Sequence, residues 1–213
     1  MNNSSWLKQL HQHRAIAVIR TPVLEIGWQM ANAVWQGGIR LIEITWNSDC
    51  PGSLVSQLRT DFPDCWIGAG TLLTLDQMEQ AIASGAQFLV SPHTNPGLIQ
   101  RANQAGIPVI PGAFSPTEIV TAWQAGADCV KVFPIATLGG ATYIKNLQGP
   151  LGQIPLIPTG GVTFENTQAL IESGAVAVGL AGDFFPKFLM ETQAWSTITQ
   201  RTQQFTQKLL YRS

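Results

Sequence analysis

Four charged residues fall inside apolar runs, and three of them could do chemistry together. Lys131 sits in Asp128-Cys129-Val130-Lys131-Val132-Phe133-Pro134, a β-branched stretch stopped by proline. Burying an ammonium there is costly, so the lysine either pairs with a carboxylate or becomes a nucleophilic amine. Glu43 lies among Leu41, Ile42 and Ile44. It reads as the structural partner of Lys131 or as a general acid/base, and the two roles are compatible. Arg20 follows Ala17-Val18-Ile19. Its planar guanidinium suits a carboxylate, with a rim salt bridge as the alternative. Arg40 opens the run that holds Glu43 and reads as structural. An enclosed amine suggests a Schiff base with a ketone, an electron sink that permits C–C cleavage beside the carbonyl. That chemistry needs a base, which Glu43 supplies directly or through water. It needs neither metal nor cofactor.

A second element is Thr159-Gly160-Gly161-Val162. Glycine lets backbone N–H groups approach an anion, so the loop reads as a phosphate site or as a tight turn that needs glycine for geometry alone. Gly179 and Gly182 supply a neighbouring loop. Thr71, after Gly68-Ala69-Gly70, could hydrogen-bond a substrate, although Gly-Thr is also ordinary turn chemistry. Pro92, Pro111 and Phe133 are expected to shape a pocket. His93 reads as a satisfied structural histidine, with a proton shuttle as the alternative.

These residues need a scaffold, and the chain has a rhythm that provides one. Short apolar runs alternate with amphipathic segments ending at Gly37-Gly38, Gly85, Gly106, Gly126 and Gly174, where a glycine cap is expected. Strands are expected at Ala15–Arg20, Ile39–Thr45, Trp66–Gly70, Phe88–Ser91, Ile107–Pro111, Cys129–Phe133, Leu156–Thr159 and Val176–Leu180. Helices are expected at Pro22–Gln36, Leu75–Ser84, Asn95–Ala105, Ser115–Ala125 and Phe164–Ser173. A final helix covers Gln193–Leu210 and a short one residues 4–13. Thr74 and Ser115 look like N-caps, the latter with Pro116 at the first helical position. Eight βα units in one domain, 1–213, predict an α/β fold of the (β/α)8 TIM-barrel type, with the site at the C-terminal strand ends. An open doubly wound sheet fits less well, because no GxGxxG follows the first strand.

Composition excludes several other classes. Of the 213 residues only 12% are charged and 45% are hydrophobic, with a net charge of −1. Without a basic block, nucleic acid is not an expected partner. No apolar run approaches the ~20 residues of a membrane span, and the N-terminus lacks the apolar core of a signal peptide. Cys50, Cys65 and Cys129 have no metal-ligand spacing and read as reduced thiols of a cytoplasmic protein. His11 and His13 fall in a polar segment and read as solvated.

With these residues in place, the chain resembles the KDPG/KHG aldolase family, whose substrates are 2-keto-3-deoxy-6-phosphogluconate (KDPG) and 4-hydroxy-2-oxoglutarate (KHG). The markers are AVIR, GGIRLIEIT, IGAGT, FLVSPH, IPVIPG, VKVFP, PTGGV and AVG, in order along the barrel. The resemblance implies a homotrimeric, metal-independent class I aldolase that cleaves KDPG to pyruvate and glyceraldehyde 3-phosphate, or KHG to pyruvate and glyoxylate. The alternatives are a 2-keto-3-deoxy-6-phosphogalactonate aldolase and a phosphate-binding barrel isomerase or ligand binder without aldolase activity. It implies Lys131 as the Schiff-base lysine and Glu43 as the acid/base acting through water. Thr71, Pro92 and Phe133 match positions around pyruvate, and Gly160 and Gly161 match the phosphate loop. Some members place a carboxylate-binding arginine where this chain has Asn47; others carry it where this chain has Arg20. Many members read GVGS where this chain has Gly179-Leu180-Ala181-Gly182, so a serine that would meet phosphate is replaced by Gly182. Trp46, beside Asn47, is expected to narrow or reshape the pocket.

Overall fold

The computed structural model describes residues 3–210. Nine short strands alternate with helices in chain order. The strands are β1 Ala15–Ile19, β2 Leu41–Thr45, β3 Trp66–Gly70, β4 Leu89–Val90, β5 Val109–Ile110, β6 Gly112–Ala113, β7 Val130–Val132, β8 Leu156–Pro158 and β9 Val178–Leu180. All pairings are parallel. One run is ordered β5-β4-β3-β2-β1-β9 and the other β6-β7-β8. The two runs join at both ends. β5 and β6 are one barrel strand interrupted by Pro111, which has no N–H to give to a ladder but accepts the Lys131 N–H at 2.9 Å. A bridge between Thr159 and Gly179 links β8 to β9. The result is the (β/α)8 barrel expected from the rhythm, with the fifth strand split and starting later than the apolar run at Ile107.

The helices are α1 Asn3–His13, α2 Leu24–Gln36, α3 Pro51–Asp61, α4 Leu75–Ala83, α5 Pro96–Ala105, α6 Pro116–Gln124, α7 Ala141–Leu151, α8 Thr167–Glu172, α9 Lys187–Glu191 and α10 Trp195–Leu210. The expected caps are present. Thr74 accepts from the Gln77 N–H, and Ser115 forms a reciprocal capping box with Glu118. Helix α8 starts three residues later than the expected Phe164, because residues 163–166 form a hydrogen-bonded turn instead.

Strand alternation sorts side chains into two cores. Ala15, Ala17, Ile19, Ile42, Ile44, Val130 and Val132 face outward and pack against the helices. Ile16, Leu41, Phe88, Val90, Ile110, Cys129 and Ile157 face inward, and Trp6 and Leu10 of α1 close the floor beneath them. Trp6 stacks on Phe88 with centroids 4.9 Å apart. His13, at the end of α1, is half-buried rather than solvated. Burial lowers its pKa, and the nearby Arg40 charge adds to the effect. Arg40 is structural as expected, pairing with Asp64 at 2.9 Å.

Candidate active site

The alternation that fills the floor places chemistry at the mouth. Along β2, Leu41 faces inward at the floor, Glu43 one step higher and Thr45 at the rim. Along β7 and its flanks, Cys129, Lys131 and Phe133 follow the same order. Glu43 and Lys131 are both nearly sealed, at 3% and 7% exposure. All nine residues expected at the site line one cavity of about 440 Å³ at this end: Arg20, Glu43, Thr71, Pro92, Lys131, Phe133, Gly160, Gly161 and Gly182.

Lys131 and Glu43 share the cavity without forming a contact pair. Among the described residues, the ion pairs within 4.0 Å are Arg40–Asp64, Arg101–Glu79 and Lys187–Glu191. Neither Lys131, Glu43 nor Arg20 takes part in one. The Lys131 ammonium lies 4.9 Å from the centroid of the Phe133 ring. Burial pushes the Glu43 carboxyl pKa up, and the charges of Lys131 and then Arg20 pull against that shift without cancelling it. One Glu43 oxygen, Oε1, is buried and meets no hydrogen-bond donor of the protein. A carboxyl group whose pKa is raised by burial, close to a cation but not bound to it, is suited to general acid/base work.

Gly70 explains how the carboxylate fits. A Cβ built on Gly70 would overlap Glu43, reaching to 1.8 Å from Oε1. Thr71, the next residue, adopts a left-handed φ of 59°. For a β-branched residue that conformation is a true outlier and costs roughly 1–3 kcal/mol. It turns the chain sharply at the end of β3, where Thr71 enters the cavity wall.

The other end of the cavity is built from backbone. Gly160 and Gly161 have φ of 85° and 82°. A Cβ on Gly161 would come within 2.4 Å of Ala136 Cβ, so no side chain fits at that turn. Among the described residues, the N–H groups of Gly161 and Val162 after β8, and of Ala181 and Gly182 after β9, donate to no protein acceptor. All four residues line the cavity. Unclaimed amides on two loops that line one cavity are the elements from which a backbone anion nest can be built. A Cβ at Gly182 would meet nothing within 4 Å, so the space that a serine side chain would fill is open.

Two pocket expectations fail here. Pro111 is not among the lining residues; its carbonyl accepts the Lys131 N–H within the barrel wall. Trp46 does not line the cavity; its indole N–H turns outward to Gln80 Oε1 at 3.4 Å, in a separate groove with Cys50 and Ser84. Position 46 is one step from Thr45 and therefore on the opposite face of the strand. His93, by contrast, keeps its structural reading over the proton-shuttle alternative, because it does not line the cavity; its carbonyl accepts the Ser91 hydroxyl at 2.7 Å. Sequence reasoning also missed lining residues, among them Thr45, Thr163 and Asp183. Thr45 was legible, being two residues from Glu43 and so on the same face. Asp183 carried only its adjacency to Gly182 as a signal.

Fold and cavity define a (β/α)8 barrel of the aldolase type, with an enclosed lysine and carboxyl at the strand ends. The family model described as KDPG and KHG aldolase matches residues 7–201, and the chain belongs to that family. It is 38% identical to the 2-dehydro-3-deoxy-phosphogluconate aldolase of Treponema pallidum (strain Nichols), covering 74% of this chain and 75% of the relative. It is 33% identical to the 2-dehydro-3-deoxy-6-phosphogalactonate aldolase of Escherichia coli (strain K12), covering 80% and 83%. Among solved structures, the KDPG aldolase from Legionella pneumophila superposes with a TM-score of 0.87 at 29% identity, covering 96% of this chain and 98% of the other. That structure holds pyruvate captured at low pH as a covalent carbinolamine intermediate.

Proposed function

We propose that this chain is a class I aldolase that cleaves KDPG to pyruvate and glyceraldehyde 3-phosphate. The observation that carries the reading is the enclosed Lys131 and Glu43 facing one cavity without an ion pair between them. Lys131 Nζ attacks the C2 ketone to give a carbinolamine, which loses water to a protonated imine. Glu43, through water, takes the proton of the C4 hydroxyl as the C3–C4 bond breaks. The bond's electron pair passes into the imine to give an enamine, and the aldehyde leaves. Glu43 then returns a proton to C3, and water releases pyruvate from Lys131. Arg20 holds the substrate carboxylate, while Thr71, Pro92 and Phe133 position the pyruvate half. Gly160, Gly161 and Gly182 bound the phosphate. The free amides around them support a phosphorylated substrate even without the serine.

The galactonate epimer is the second reading, favoured by the phosphogalactonate aldolase relative. KHG, cleaved to pyruvate and glyoxylate, is the third. The homotrimer belongs to the same proposal. Leu73 and Phe114, in the loops after β3 and β6, and Leu75, at the start of α4, leave large apolar side chains exposed, as a subunit interface would require. Among the described residues no helix is long and apolar enough to cross a membrane. The three thiols are free, which fits a reducing, cytoplasmic setting.

The test is incubation with pyruvate, reduction with borohydride and mapping of the adduct by mass spectrometry. An adduct on Lys131 is expected, and its absence would remove the aldolase reading. Comparing kcat/KM on KDPG, its galactonate epimer and KHG then ranks the substrates.

A further inference from the structure

We propose that Asp183 is the positioning residue of the anion nest, an inference that rests on the phosphate reading above. Asp183 follows Gly182 in the loop after β9 and lines the cavity. Its Oδ2 accepts the Phe164 N–H at 2.7 Å, across to the loop after β8. It therefore ties together the two loops whose free amides belong to residues lining the cavity. Arg201 of α10 fixes the same junction from behind. Its Nη2 donates to the Asp183 carbonyl at 3.4 Å, and its guanidinium lies 5.7 Å from the Phe164 ring centroid. Within the β8 loop, Asn166 accepts the Thr163 N–H at 2.8 Å and donates to the Gly161 carbonyl at 3.0 Å. The amides of Thr163 and Phe164 are thus spent on holding the loop, and those of Gly161 and Val162 remain open to the cavity. Backbone donors bind an anion well only when they are preorganised, because fixing a mobile loop at the moment of binding costs affinity. Asp183 supplies that order at the price of a carboxylate beside the anion site.

The two effects separate by substitution. Asp183→Ala removes both the acceptor and the charge, whereas Asp183→Asn removes the charge and keeps a carbonyl that can accept from Phe164. In Asp183→Ala, KM for KDPG is expected to rise about tenfold, with kcat and the KM for unphosphorylated KHG within twofold of wild type. In Asp183→Asn, KM for KDPG stays at or below the wild-type value. Borohydride trapping of pyruvate on Lys131, at equal rates in all three proteins, reports that the variants are folded and the reacting end is intact. Equal changes for both substrates in Asp183→Ala, or no change for either, would overturn the proposal. So would an Asp183→Asn variant as impaired as the alanine one, since charge rather than the loop tie would then be at work. A wild type that handles KDPG no better than KHG overturns the phosphate reading and this proposal together. A wild type that prefers KDPG, with an unaffected alanine variant, overturns this proposal alone.

Discussion

The same strands line two interiors with opposite demands. At the floor, Trp6, Phe88, Cys129 and Ile157 are sealed and packed ring on ring and chain on chain. At the mouth, one or two residues further along the same strands, Glu43 and Lys131 are almost as deeply enclosed but face a cavity. Burial raises the pKa of a group in each region. The Cys129 thiol is pushed far up, away from the thiolate form, and the Glu43 carboxyl is pushed up against the pull of the Lys131 and Arg20 charges. At the floor burial is an end in itself. At the mouth the buried groups face a cavity, where the proposed function uses burial to set reactivity, and it is tolerated because the flanking positions of β2 and β7 pack outward against helices.

Substitutions should separate the two regions. Lys131→Met replaces the proposed nucleophile by an apolar side chain of similar length. Activity should fall at least about 1,000-fold, while the melting temperature holds or rises, since no buried partner is orphaned. A large loss of stability would mean that the mouth is structural after all. Glu43→Gln should slow turnover roughly 100- to 10,000-fold but leave pyruvate trapping on Lys131 intact.

That variant also reads linkage. The Glu43 carboxyl has a folded-state pKa above its ordinary 4.5. Its stabilising contribution is therefore complete below pH 4.5 and is lost as pH rises through the folded value. Glu43→Gln should melt above wild type at pH 8, and the difference should shrink as pH falls toward 4. A difference that grows on acidification would reverse the assignment.

Trp6→Ala tests the floor. It should cost about 3–5 kcal/mol, seen as a lower melting temperature, with kcat/KM within twofold at temperatures where the barrel is folded. The smallest effect belongs to the backbone end of the cavity. Gly182→Ser adds one hydroxyl in open space. It should lower KM for KDPG about threefold, the scale of one added hydrogen bond, and leave KHG unchanged.

The chain order alone determined much of this. The β-branched runs, the capped amphipathic segments and the glycine endings are local signals, so the eight-fold repeat was legible, as was the oddity of Lys131 and Glu43 in apolar runs. Boundaries slipped where a turn competed with a strand or helix, as at Pro111 and at residues 163–166. Tertiary structure decided which face each residue presents and what stands opposite it. It turned Trp46 away from the pocket, put the missing Cβ of Gly70 against the Glu43 carboxylate, and brought Asp183 to the Phe164 amide 19 residues away. It also decided that Lys131 and Glu43, although enclosed together, do not bond. Barrel closure and register fix those distances, and no local run of residues encodes them.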